Sequence, residues 1–135
     1  MGTWGPNAFD NDCACDWALA LEKSDDLALI KETLRQALAN TEDPLESTLA
    51  AEGIAACEAV ARLRGNFGER SGYTELVDRW VEAHPDLDFT PLLPAAREVL
   101  ERAAGEGSEL AECWAESSFS NGWRAAIDDL LARLT

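Results

Sequence analysis

Apolar residues recur along this chain at intervals of three and four, the period of an α-helix, and no stretch alternates as a half-buried strand would. The pattern predicts a first helix from Asp12 to Glu22. Leu27, Ile30, Leu34 and Leu38 form the buried stripe of a second helix, which Ser24 would cap, with Asp25 and Asp26 complementing its dipole. Asp43-Pro44-Leu45-Glu46 reads as the start of a third: an acidic cap, proline at the first helical position, and glutamate three residues on. Gly65 is its natural stop. Residues 65–72 (GNFGERSG) read as a loop.

A fourth helix is expected over about Thr74 to Ala83, turning Leu76, Val77, Trp80 and Val81 inward, and His84-Pro85 ends it. Thr90-Pro91 opens a fifth, which runs to about Ala104, with Pro94 tolerated in its first turn. Ser108 would cap a short sixth, bearing Leu110, Cys113 and Trp114. Ser120 would cap the last, where Trp123, Ile127, Leu130 and Leu134 recur at helical spacing. The prediction is all-α: a single domain over residues 1–135, a compact bundle of about six to seven helices with an ordered N-terminal strap over residues 1–11.

The third helix is apolar nearly all round (IAACEAVA, residues 54–61), which predicts a central position. Glu58 interrupts it. A carboxylate buried there needs a partner, and Arg62, one turn on, has the right sign and spacing, so a structural ion pair is expected. Ala51 and Ala55 on the same face would admit another helix closely.

Composition adds one constraint. There are 26 acids against 11 bases, a formal net charge of −15, spread along the whole chain. Phosphates would be repelled, so nucleic acid and anionic membranes are poor partners, and a basic protein would be attracted. No apolar run approaches the roughly 20 residues of a membrane span. No basic, then apolar, leader opens the sequence, and a cytoplasmic location is expected. The four cysteines then read as thiols. Cys13 and Cys15 would point about 200° apart on a helix. Cys57 and Cys113 fall on apolar faces as small hydrophobes.

The opening MGTWGPNAFDND places Trp4 and Phe9 among Gly2, Gly5, Pro6 and Asn7. It reads as a strap that plugs both aromatics into the bundle, with Asp10, Asn11 or Asp12 accepting from free N–H groups at the start of the first helix. The alternative is a lip that exposes Trp4 as an anchor for a partner. Gly2, Thr3, Trp4 and Gly5, then Phe9, Asn11, Asp12, Ala14, Asp16 and Trp17, resemble the opening motif of an uncharacterised bacterial family, domain of unknown function 4259. Weaker similarity continues through AACEAVARLRG and the Trp-bearing last helix. Cys13 and Cys15 depart from the family pattern, where an acid and a large apolar residue are expected. The resemblance implies a small bacterial protein and carries over no catalytic residue.

The remaining candidates are few. Asp12 and Asp16 share a helix face and with Asp10 could gather a hard cation, but Cys15 and Leu21 stand where a calcium loop needs glycine and glutamate. No metal or cofactor is expected. The single histidine, His84, excludes a Ser–His triad or a multi-histidine site within one chain and reads as a helix end charge. GNFGERSG lacks the ending of a phosphate loop. Trp17, Trp80, Trp114 and Trp123 fall on apolar faces and read as core. The leading expectation is a non-catalytic, immunity- or inhibitor-like protein, monomer or homodimer, that meets a basic partner through Trp4, Asp12, Asp16 and Glu58. One alternative is an enzyme using Asp12, Asp16 and Glu58, metal-assisted or not. Another is a homo-oligomeric module pairing through exposed parts of the third and last helices.

Overall fold

The computed structural model describes residues 3–39 and 42–135. The expected role of Gly2 in the strap lies outside them. Among the described residues there are seven α-helices and no strand: α1 (Asp12–Glu22), α2 (Ala28–Leu38), α3 (Ser47–Leu63), α4 (Glu75–Ala83), α5 (Leu93–Ala104), α6 (Glu109–Ala115) and α7 (Ser120–Leu134). A 3-10 turn, Thr90–Leu92, leads directly into α5. The all-α bundle is as the apolar period predicts.

α3 is the axis. It packs against all six other helices, and every residue from Gly53 to Arg62 is buried. Small side chains make this feasible, because interaxial distance follows the size of the contact residues. At Gly53 the approach is closest. A methyl there would stand 2.8 Å from Val99 Cγ1 on α5 and 3.3 Å from Ala37 Cβ on α2. Only the first turn of α3, Glu52 and the final residue Leu63 reach toward solvent. The helix stops as predicted: Gly65 takes φ +93°, Asn66 N–H donates to Ala61 O (2.9 Å) and Gly65 N–H to Arg62 O (2.9 Å).

Three predicted caps are corrected. Ser24 does not cap α2: its hydroxyl donates back to Ala20 O, and Asp26 Oδ1 accepts from Ala28 N–H at 3.0 Å instead. The bend over residues 25–27 lets Leu27 reach the core before the helix begins. Asp43 does not cap α3. Leu45 N–H donates to Gly107 O (2.7 Å) and its carbonyl accepts from Glu109 N–H (3.0 Å), so this residue is tied to the turn before α6 and the helix starts at Ser47. Ser120 is the first residue of α7 and makes no side-chain cap. Ser108 does cap α6, accepting from Ala111 N–H at 3.2 Å.

The C-terminal carbonyls of α7 have no intrahelical donors. Arg64 and Arg97 both donate to Leu134 O, at 2.8 and 2.9 Å, and Asn66 Nδ2 donates to Arg133 O at 2.9 Å. Arg102 donates to the carbonyls of Ala37, Ala39 and Asp43. Arginines therefore join helix ends across the bundle.

The close packing at Gly53 is testable. Overpacking costs about 1–3 kcal/mol, and replacing a helical glycine by alanine returns up to about 1 kcal/mol. Gly53→Ala is expected to destabilise by about 1–2 kcal/mol in urea unfolding, because β-branched Val99 yields poorly. Gly72→Ala, where nothing lies within 4 Å of the added methyl, is expected to leave stability unchanged or raised. Equal stability of the two variants would contradict the packing described.

Candidate functional site

The strap doubles back on itself before α1. Trp4 N–H donates to Asp10 O (2.9 Å), Asp10 N–H to Asn7 O (3.0 Å), and Thr3 bridges Asn11. A side chain at Gly5 would meet Asp10 Oδ2 at 2.5 Å, so the tight turn requires glycine there. Asn11, one of three residues proposed for the role, caps α1 by accepting from Ala14 N–H at 2.8 Å.

The two strap aromatics part company. Phe9 is buried in the core, worth roughly 1.5–3 kcal/mol in holding the strap down. Trp4, expected to plug in beside it, does not: it is 44% exposed and its ring meets that of Tyr73, itself 50% exposed, at a tilt of 45° with centroids 4.9 Å apart. Beyond this contact, the strap touches the bundle lightly. Asn7 Nδ2 donates to Glu69 at 3.3 Å, and Pro6 lies over Gly122 of α7.

Beneath the strap lies a cleft of about 600 Å³. Its floor is one stripe of α3 (Ala51, Ile54, Glu58, Arg62), and its far wall is α6 and α7 with Trp114 and Trp123. These two indoles stack nearly parallel, 5.9 Å between centroids. Trp123 is buried as expected, whereas Trp114 is half-buried because α6 buries none of its residues fully. The loop residues Glu69, Ser71 and Tyr73 close the other side. The stripe at Ala51 thus opens onto a cleft.

Glu58 is paired as the spacing predicts, and more fully. Arg62 donates to its Oε1 through Nε (3.0 Å), and its Nη2 stands 2.9 Å from the same oxygen. Arg133 of α7 adds a two-pronged contact, Nη1 to Oε1 and Nη2 to Oε2, both 2.9 Å. Arg62 also donates to Asp78 of α4 and to Glu69 O (2.9 Å), and Asp78 accepts from Thr74 Oγ1 at 2.8 Å. Arg133 further donates to Asp129 (3.0 Å) and Asn66 O (3.2 Å). A side chain at Gly68 would strike its guanidinium at 2.8 Å. The buried carboxylates Glu58 and Asp78 thus balance the guanidiniums of Arg62 and Arg133, with the exposed Asp129 a third carboxylate on Arg133, and no buried side-chain nitrogen or oxygen among the described residues lacks a partner.

The other predicted residues scatter. Asp12 stands exposed at the cleft rim, and Asp16, one turn on, is exposed outside it. Of the three carboxylates considered for chemistry, only Asp12 and Glu58 share the cleft. No three His, Cys, Asp or Glu side chains among the described residues gather as metal ligands would. His84 ends α4, with Nδ1 2.7 Å from Trp80 O and its ring against that indole. Cys57 is buried and donates to Ala96 O at 3.1 Å; burial first, then the charge of Glu58, push its thiol far up. Cys113, expected on a covered face, is exposed, since α6 is too short to bury it. Burial also raises the Cys15 thiol, helped by Asp12, Asp16 and Asp10.

Sequence reasoning missed Asp78 and Arg133. Asp78 carried a faint signal, an acid between Val77 and Val81 on the buried side of α4. Arg133 carried none, lying 75 residues from Glu58.

The fold and cleft define a small all-α protein with a strap-covered groove floored by a neutralised ion network. The chain belongs to the family described as domain of unknown function DUF4259, whose model matches residues 2–126. No curated protein and no solved structure matches it.

Removing one partner from a buried charge network leaves the others uncompensated, at about 3–5 kcal/mol. Glu58→Ala is expected to lose that much in urea unfolding; a loss below about 1 kcal/mol would show that the network is not closed as described. Thiol alkylation near pH 8 is expected to reach Cys113 first, Cys15 slowly and Cys57 only on unfolding, read by peptide mass mapping. Early labelling of Cys57 would contradict its burial.

Proposed function

We propose that this protein is a non-catalytic binding protein, immunity- or inhibitor-like, that acts on a basic partner protein in the bacterial cytoplasm. The observation that carries the reading is the direction of the arginines. Arg62 and Arg133 turn inward to carboxylates, and Arg64, Arg97 and Arg102 donate to backbone carbonyls. Five of the nine arginines are thus committed to structure, and the exterior is left more acidic than the balance of 26 acids to 11 bases implies. Such a field steers a positive partner toward contact. The exposed Trp4–Tyr73 pair supports the same reading, as an aromatic lip suited to a cationic side chain.

A carboxylate-based enzyme is the weaker reading. Glu58 is the one cleft carboxylate with a buried, shaped surrounding, and both of its oxygens accept from guanidiniums. Three of its four acceptor positions are taken by these donors, so the carboxylate is oriented by the arginines rather than toward a substrate proton. No helix among the described residues is long and apolar enough to cross a membrane.

Tagged protein incubated in its host's lysate at moderate salt is expected to retain one basic protein in stoichiometric amount. The purified pair should weaken as salt rises, since screening removes the attraction. A partner that is acidic, or held equally at low and high salt, would sink the proposal.

A further inference from the structure

We infer that the cleft under the strap is the seat for a short amphipathic, cationic segment of the partner: an apolar side chain against the floor, flanked by lysines or arginines. This rests on the binding reading above and names its site. The cleft, at about 600 Å³, is within the about 300–1,000 Å³ typical of ligand clefts. Its middle is apolar, made of Ile54, Leu110 and the stacked pair Trp114 and Trp123. Its net charge is negative. Five carboxylates line it (Asp10, Asp12, Glu58, Glu69, Asp129) against two guanidiniums, Arg62 and Arg133. Both guanidiniums are already held by Glu58, Asp78 and Asp129. An anion entering would find no uncommitted positive group among these lining residues, whereas a cation would find Asp12 and Glu69 exposed, with Asp129 also exposed beside its contact to Arg133.

The spacing of these acids favours a polypeptide over a small ion. Asp12 begins α1, Glu69 sits in the loop before α4, and Asp129 is on α7, so the carboxylates surround the mouth from three elements. Separated positive charges with an apolar group between them match that arrangement. Tyr73, backed by Trp4, adds a π face at the mouth.

The test uses the full chain and a synthetic 14-residue leucine–lysine peptide patterned to give one apolar helical face, titrated by calorimetry. A scrambled peptide of equal composition and free spermidine are the comparison ligands. The patterned peptide is expected to bind one to one and more tightly than either. Asp12→Asn with Glu69→Gln should weaken it roughly 3- to 10-fold, the scale of two exposed charge pairs. Glu98→Gln with Glu101→Gln, which removes equal charge from α5 outside the cleft, should change it less than twofold. Ala125→Lys, an exposed lining position, puts a cation on the wall and should abolish binding while leaving the circular dichroism spectrum intact.

Equal losses from the cleft and α5 variants would overturn the site while leaving the acidic-surface reading standing. Spermidine or the scrambled peptide binding as tightly would overturn the amphipathic segment. Failure of the lysate capture would instead strike at the binding reading itself.

Discussion

The guanidinium of Arg62 is the fixed point of the cleft end of the molecule. It is 2% exposed and reaches Glu58 on its own helix, Asp78 on α4 and the carbonyl of Glu69 in the loop between them. Removing a charge from water costs several kcal/mol, so this position is tenable only with every donor matched. Glu58 completes the match by accepting from Arg133, which draws in α7 and, through Asn66, the same loop. One buried pair thereby fixes the relative positions of α3, α4, α7 and the loop that forms one bank of the cleft.

This arrangement bears on function through what it makes unavailable. The oxygens of Glu58 are turned to two guanidiniums, and those guanidiniums are turned to carboxylates, so neither set is presented to an entering ligand. The buried charges serve the fold, while carboxylates from α1, the loop and α7 remain at the rim. The proposed partner chemistry follows: what the cleft presents outward is apolar surface and negative charge, beside an exposed aromatic pair.

The fold was legible because helical periodicity is local and α3 is apolar on every side, which marks a central helix in any bundle. The first helix, the stop at Gly65, the prolines at the entry to α5 (Pro91 before it, Pro94 in its first turn) and the cap at Ser108 were readable for the same reason: each depends on residues within one turn. The start of α3 was misread because a tertiary bond outweighed a local cap, Leu45 pairing with the turn at Ser108; at α2 the local bond comes from Asp26 rather than Ser24, and α7 begins at Ser120 with no side-chain cap. The site was half legible. Glu58 and Arg62 lie four apart on one helix and announce each other. Arg133, Asp78 and the cleft itself arise from segments distant in sequence, and so does the contact of the misplaced Trp4 with Tyr73.

The measurement that bears most directly on this account is a double-mutant cycle between Glu58→Gln and Arg133→Met, read by urea unfolding. Contacting members of one charge network couple by about 0.5–3 kcal/mol, and the two-pronged contact places this pair toward the upper part of that range. Coupling of about 1–3 kcal/mol would establish that Glu58 is held from α7 as well as from its own helix. Additivity within about 0.3 kcal/mol would mean that Arg133 does not hold Glu58, leaving only Arg62 on Oε1 and Oε2 open to the cleft.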